Sequence, residues 1–208
     1  MEINNTIYIY GAGGHGRVVA DIALASGYVI GGWIDDDPQK EAISWEKFNQ
    51  SMPKGTAIAL GIGDNLIRKS VFQKVLTAGY AFPSLIHPSA IIAPSVSLGN
   101  SAVIMPLCVI NANATIGTGT IINTASIIEH DCKVGEFVHI SPNVALGGSV
   151  QIENLTHIGI GSCIIQNIHV GENSVIGAGS TVIHAIPSNV TAVGNPARVI
   201  TLIDKKDN

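Results

Sequence analysis

One regularity limits what this chain can fold into more than any other. Stepping by six residues, the sequence reads Ile86, Ile92, Leu98, Ile104, Ile110, Ile116, Ile122, Ile128, Val134, Ile140, Leu146, Ile152, Ile158, Ile164, Val170, Ile176 and Val182, with no insertion. Every one is Ile, Leu or Val. Two residues before most of them stands a small side chain: Ala90, Ala102, Cys108, Ala114, Thr120, Ser126, Cys132, Thr156, Ser162, Ser174 and Ser180. A period of six fits neither a helix nor a simple hairpin. It fits a solenoid of short parallel strands joined by tight turns, each aliphatic stacking on its equivalent one coil away. Leu98, Ile116, Val134, Ile152 and Val170 are eighteen residues apart, and Gly99, Gly117, Gly135 and Gly171 follow four of them. Three hexapeptides therefore close one triangular coil, and the repeat holds between five and six coils. Successive coils should lie about 4.8 Å apart, the spacing of neighbouring strands. Glycine at that recurring corner suggests a backbone needing positive φ.

The first 82 residues follow a different grammar. TIYIYGAGGHGRVVADIALASGY runs from a strand through a glycine loop into a helix, with Val18, Val19, Ile22 and Ala23 on one face. YVIGGWIDDDP is a second strand, and TAIALGIG a third. DNLIRKSVFQKVLTAGY is a second helix, with Leu66, Val71, Val75 and Leu76 at helical spacing. Strand–helix alternation predicts a small parallel sheet. The expected architecture is an α/β domain with a small Rossmann-like parallel sheet over residues 1–82, then an all-β solenoid with a C-terminal cap over 83–208.

Composition narrows the function classes. Charged residues are 12% of the chain against 46% hydrophobic, well below the usual quarter, which points to buried interface and so to an oligomer. A net charge of −4 gives no footprint for nucleic acid. No apolar run approaches the roughly 20 residues of a spanning helix. The acidic start MEINNTIYIYGAGG does not resemble a signal peptide. Cys108, Cys132 and Cys163 form an odd set without zinc-clip spacing, which reads as reduced, buried thiols in a cytoplasmic protein.

Two groups of residues carry candidate chemistry. GAGGHG satisfies the G-x-G-x-x-G pattern between strand and helix, so Gly13, Gly14 and His15 form a candidate phosphate loop, where backbone N–H groups at a helix start favour anions. Asp35 and Asp36, after the second strand, could accept hydrogen bonds from ribose or base, or form a solvated acidic turn. Gly61, Gly63 and Asn65 lie on the same carboxyl edge and complete a nucleotide crevice. In the repeat, His130 falls on a turn after Ile128, with Ala112 and Gly148 as its small equivalents one coil away. Asp131 beside it could hold the imidazole as a general base. His139 and His157 are eighteen apart and should stack on one edge, facing either a ligand or a subunit contact. Two histidines with no third ligand at suitable spacing argue against a metal. His87, His169 and His184 have no evident partner. Cys132 occupies the small inward slot, which argues against a cysteine nucleophile.

The whole pattern resembles the hexapeptide-repeat acetyltransferases, and within them the branch of sialic acid O-acetyltransferases and UDP-4-amino-sugar N-acetyltransferases. GAGGHG, WIDDD, GIGDNLIRK, NTASIIEHDC, GEFVHISP and VGNPARVI carry that resemblance in order. It implies a left-handed parallel β-helix, a cytoplasmic homotrimer with active sites between subunits, acetyl-CoA as cosubstrate and no metal. It implies N-acetylation of the 4-amino group of a UDP-linked amino-dideoxy sugar, with His130 as base and Asp131 raising its basicity. Gly13, Gly14, His15, Asp35 and Asp36 match sugar-nucleotide contacts, and Asn123 an asparagine near the acceptor nitrogen. His139, Gly148, Ile160 and Ala178 match acetyl-CoA contacts. Asn195, Pro196 and Arg198 match the segment near the CoA adenine. The amino-sugar enzymes often carry Glu where this chain has Asp131, which keeps sialic-acid-type O-acetylation open. A non-catalytic solenoid scaffold and a nicotinamide-dependent oxidoreductase are the readings of other classes; the half-size sheet and the lack of a second catalytic domain argue against the latter.

Overall fold

The computed structural model describes residues 5–203; the termini on either side, which belong to the two expected domains and to the acidic start, lie outside the described residues. Strands β1 (Thr6–Tyr10), β2 (Val29–Ile34) and β3 (Ala57–Leu60) form a parallel sheet in the order β2-β1-β3. Helix α1 (Gly14–Ala25) follows the glycine loop, α2 (Trp45–Ser51) links β2 to β3, and α3 (Asn65–Thr77) follows β3. The short α2 has no counterpart in the sequence reading. Its signal is Ser44, whose side chain accepts from the Lys47 N–H as an N-cap.

Both long helices bury a narrower stripe than expected. In α1, Val19, Ile22 and Ala23 are buried but Val18 is 41% exposed. In α3, Leu66 and Leu76 face solvent, and the buried side chains are Arg68, Phe72 and Val75. The spacing of those three, four then three, defines the inward face. Arg68 belongs to the face that meets the solenoid, so a cation takes a position that an apolar periodicity search passes over.

Residues 83–182 contain seventeen two-residue strands, β4 (Leu85–Ile86) to β20 (Thr181–Val182). They sort into three parallel sheets, with β4 to β17 each pairing with the strand eighteen residues on, as Ile121 does with His139 and Ile127 with Ala145. The three sheets are the flat faces of the triangular solenoid. The ladder aliphatics point inward, and those from Ile104 to Val182 are buried. Ile86, Ile92 and Leu98 keep some exposure, because the first coil has none beneath it. The small polar residues are also inside and are satisfied across the corners. The Thr120 hydroxyl donates to the Gly135 carbonyl (2.7 Å), Ser126 to Ser141 (2.9 Å) and Thr156 to Gly171 (2.7 Å). The other end is capped by a hairpin of β21 (Val190–Gly194) and β22 (Ala197–Leu202), with Val190 and Ala192 buried.

The corner glycines correct one expectation. Gly99, Gly117, Gly135 and Gly171 are not at positive φ. A Cβ on Gly117 would lie 2.5 Å from the Gly135 carbonyl carbon, and one on Gly99 2.5 Å from the Thr118 nitrogen. Glycine is required there because the next coil passes too close for any side chain. The left-handed residues recur elsewhere, at every sixth position from Ser101 to Gly179, with φ between 52° and 68°. Only Gly119, Gly161 and Gly179 of that series are glycine. Most of the rest, Asp131 among them, are pinned by cross-coil hydrogen bonds such as Asp131 N–H to the Ala112 carbonyl (2.9 Å).

The two parts share one core. A buried cluster runs from Ile7, Val19 and Ile22 through Leu85 and Val103 into the solenoid. On the other side, Phe72 of α3 meets Phe137 of a solenoid corner edge to face, at 5.4 Å. Between these contacts lies Arg68, 1% exposed. Its guanidinium donates to the carbonyls of Gly119 (2.7 Å), Ile62 (3.1 Å), Gly63 (2.9 Å) and Phe137 (3.1 Å), and to Asn65 Oδ1 (2.8 Å). Burial lowers its pKa to about 10, so the cation persists at neutral pH. Lysine has neither the fork geometry nor the number of donors. Arg68→Ala is expected to cost on the order of 3 kcal/mol by leaving buried carbonyls unpaired, and Arg68→Lys should recover little of it. Urea unfolding of the three proteins measures this.

Candidate functional site

The glycine loop turns directly from β1 into α1. Gly13 is the N-cap and Gly14 opens the helix; a side chain on Gly13 would meet nothing within 4 Å, so the loop faces open space. Beside it is a cleft of about 240 Å³ lined by Ala12, Arg17, Trp33 and Glu41. Arg17, Trp33 and Glu41 were not singled out from sequence, because only the sheet brings the end of β2 alongside the first turn of α1. Asp35 holds the loop in place: its carboxylate accepts from the Ala12 N–H (2.8 Å) and the Asp37 N–H (3.0 Å). Asp36 accepts from the Trp45 N–H (2.8 Å) and the Tyr10 hydroxyl (3.1 Å) and pairs with Lys74 at 3.5 Å. Burial raises its pKa, but the Trp45 N–H, Tyr10 and Lys74 outweigh this and leave it below the usual carboxylate range. Both acids are thus engaged in building the crevice. Gly61 packs against Gly11 and Gly16 and lets β3 approach the loop. The Asn65 amide, expected to face substrate, instead donates to the Leu155 (2.9 Å) and Thr156 (3.2 Å) carbonyls of the solenoid.

Three histidines meet where the sheet abuts the solenoid. His139 and His157 are in register on neighbouring coils, and their rings stack with centroids 4.9 Å apart and planes 5° apart. The His15 ring lies 6.0 Å beyond His139. Asn123 Nδ2 donates to His139 Nε2 (3.1 Å), which places the proton on Nδ1, facing the Gly63 carbonyl at 3.3 Å. His157 Nε2 lies 2.8 Å from the Ser141 hydroxyl. His139, expected in the acetyl-CoA group, therefore stands with Asn123 and the nucleotide crevice. His15 Nε2 is buried with no hydrogen-bond partner. Burial is the main cause that lowers His15 to about 4 and His139 to about 3, with Arg68 adding to both. Burial also lowers His157. Folding therefore keeps these rings neutral while the unfolded chain takes up protons near pH 6.5. The stabilisation is complete above pH 6.5 and is lost as pH falls from there towards 4 and 3. Thermal unfolding should show the midpoint dropping between pH 7.5 and 5, and His139→Gln should flatten that slope.

His130 occupies a different corner. The face that bears His139 and His157 is covered by the first domain; the next carries Ile91, Val109, Ile127, Ala145, Cys163 and Thr181 outward; His130 stands at its far edge. Its Nδ1 is 2.7 Å from Asp131 Oδ2. The His130 side chain is 60% exposed. A Cβ on Gly148 would come within 2.7 Å of His130 Cε1 and Nε2, so the ring lies over that glycine. The hydrogen bond to Asp131 raises the pKa of His130, with further charge from Asp131 and Glu129, and the same bond lowers Asp131. With Nδ1 engaged, Nε2 is the free basic nitrogen. Cys132 is buried, its thiol donates to the Gly147 carbonyl (3.2 Å), and burial pushes its pKa up, so it is no nucleophile. Cys163, expected to be buried, is exposed on the apolar face. Ile160 and Ala178 are exposed on the corner between the two faces, one coil apart. Asn195 and Pro196 form the exposed turn of the capping hairpin, where Arg198 donates to the Ala197 carbonyl. His87 and His169 do have partners: Ser89 at 2.8 Å and Glu153 at 3.1 Å. Among the described residues no group of three or more His, Cys, Asp or Glu is arranged to hold a metal, and no helix is long and apolar enough to cross a membrane.

Comparison with known proteins matches the fold. Residues 6–75 match the PglD N-terminal domain. The chain is 35% identical over 109 residues to the UDP-N-acetylbacillosamine N-acetyltransferase of Bacillus subtilis, and that match spans about half of each protein (48% and 50%). PerB from Caulobacter crescentus, solved with CoA and GDP-perosamine, superimposes with a TM-score of 0.88 at 31% identity over 94% of this chain and 97% of its own. The acetyltransferase domain of PglB from Neisseria gonorrhoeae, solved with acetyl coenzyme A, gives a TM-score of 0.89 at 34% identity over 95% and 100%. A left-handed parallel β-helix joined to a small parallel sheet with helices is the fold of a hexapeptide-repeat acyltransferase. Within that class, the chain belongs to the PglD-like family of acetyl-CoA-dependent sugar acetyltransferases.

Proposed function

We propose that the protein transfers the acetyl group of acetyl-CoA directly to the 4-amino group of a UDP-linked amino-dideoxy sugar. The observation that carries this reading is the His130–Asp131 pair, 2.7 Å apart, with an exposed Nε2 above Gly148. His130 Nε2 takes a proton from the amine as its nitrogen attacks the thioester carbon; the C–S bond then breaks, CoA leaves, and the proton can pass to its thiolate sulfur. The backbone around Gly148 is the assigned donor towards the thioester oxygen, since no side chain there fills the space beside the ring. Gly13, Gly14 and His15 receive the nucleotide, with Asn123 facing the acceptor; Gly148, Ile160 and Ala178 line the path of the pantetheine arm, and Asn195, Pro196 and Arg198 the CoA nucleotide. UDP is preferred on the Bacillus relative, whereas the bound GDP-perosamine of PerB makes GDP the competing nucleotide. The cytoplasm, where acetyl-CoA and sugar nucleotides are available, is the proposed compartment.

Thiol release from acetyl-CoA tests this, with a UDP-4-amino sugar, a GDP-4-amino sugar or free sialic acid as acceptor. The UDP-linked amine is expected to react fastest, and His130→Ala to lower kcat/KM by roughly 10²- to 10⁴-fold. Preference for the sialic acid hydroxyl would move the assignment to O-acetylation. The acid limb of the wild-type profile should lie above pH 6.5, because Asp131 holds the proton on the imidazole.

The working form is proposed to be a homotrimer. The nucleotide crevice and His130 lie on opposite sides of the face bearing Ile91 (68% exposed) and Ile127 (41% exposed). Its outward side chains are almost all apolar, whereas the third face carries Ser97, Thr115, Lys133, Gln151 and His169. A second copy covering the apolar face would bring its own crevice towards His130. Ile127→Lys is expected to reduce the mass measured by light scattering from trimer to monomer and to abolish turnover with His130 intact.

A further inference from the structure

The His130–Asp131 pair does not stand alone. Directly beneath Asp131, one coil earlier, is Asn113, at the same left-handed corner position (φ 63° and 60°). Its Nδ2 donates to Asp131 Oδ1 at 3.2 Å, while Asp131 Oδ2 faces His130 Nδ1 at 2.7 Å. The Asn113 backbone N–H in turn donates to the Ser95 hydroxyl (3.0 Å), one coil further down. A line of hydrogen bonds therefore climbs the corner from Ser95 to the imidazole. Both carboxylate oxygens are engaged, one on each side, so the carboxylate plane cannot turn without breaking a bond.

We propose that Asn113 is a positioning residue for the acetyl transfer, holding the Asp131 carboxylate in the orientation that fixes the His130 tautomer. This rests on the reading of His130 as general base. The geometry gives the amide a task that glycine could not perform. Asp131 is exposed and carried on a short arm, and its own rotamers would otherwise let it swing to water. A carboxylate tied at Oδ1 presents Oδ2 to Nδ1 and leaves Nε2 as the acceptor of the substrate proton. The competing explanation is that asparagine stands there only because it tolerates positive φ, as Asn143, Asn167 and Asn173 do at equivalent corners.

Two substitutions separate these explanations, since both suit the left-handed backbone. Asn113→Gly keeps the corner and removes the donor. Asn113→Asp keeps the shape and replaces the donor by a second carboxylate. The charged groups acting on His130 are Asp131 and Glu129, while the coils above and below present Gly148 and Ala112. Asn113→Gly is expected to lower kcat about tenfold, a fraction of a general base's contribution, with the KM for acetyl-CoA unchanged. Its acid limb should move to lower pH, because the Asp131–His130 bond is weaker. Asn113→Asp should move the limb the other way, because the added negative charge favours imidazolium. Opposite shifts at unchanged melting temperature support the proposal; wild-type kcat and pH profile in both variants overturn it. Assay of His130→Ala in parallel keeps the two ideas apart. If that variant retains full activity, the general-base reading falls and this proposal with it. If it is inactive while both Asn113 variants behave as wild type, only the role of Asn113 is lost.

Discussion

The arrangement depends on one buried cation. Backbone carbonyls from the loop after β3 and from two solenoid corners surround the Arg68 guanidinium, with the Asn65 amide oxygen, and the Asp64 carboxylate adds favourable charge. A guanidinium removed from water needs its donors met, and here they are met only if α3, the crevice loop and the corners at Gly119 and Phe137 keep their relative positions. The same loop offers the Gly63 carbonyl to His139. The crevice that would take a nucleotide and the face that carries Asn123 are thus fixed to each other by hydrogen bonds rather than joined by a flexible linker. Phe72 adds apolar contacts at the same junction, with Phe82 at 4.6 Å and with Phe137 at 5.4 Å.

The solenoid supplies a different kind of constraint. Its repeat makes each corner position recur every eighteen residues, so a side chain is always judged against its neighbours above and below. That is how Gly148 makes room for the His130 ring, and how Asn113 comes to lie under Asp131. The stack of His139 on His157 arises from the same register. His130, Asp131 and Asn113 stand at corners, whereas the inward slots are filled by aliphatics and by hydroxyls bonded to carbonyls. One face is polar, one is covered by the first domain and one is apolar.

Much of the fold was legible because period six and period eighteen are properties of the chain itself. The strand–loop–helix order of the first domain was legible too, since GAGGHG and the flanking β-branched runs are local signals. The reason for the corner glycines was not. Gly117 and Gly135 looked like turn residues, but their constraint comes from the neighbouring coil, which local sequence does not reveal. Arg68 was hidden for a similar reason: a basic residue on a helix reads as solvated until another domain covers it. Leu66 and Leu76 were read as core by the same logic in reverse. The aspartates after β2 look like free ligands on paper, yet Asp35 and Asp36 are bonded to the loop and to Tyr10.

By itself the sequence determined the coil, its length in residues, the side chains that face inward, and the placing of Glu129, His130 and Asp131 on a turn. These follow from repeating local geometry, in which each residue's direction is set by its place in the hexapeptide. Only the tertiary structure decided which distant groups touch: Asp131 with Asn113, His139 with Asn123 and Gly63, Arg68 with the corner carbonyls. Hydrogen bonds act over about 3 Å, and bringing groups from separate coils and domains within that distance is a property of packing rather than of spacing along the chain.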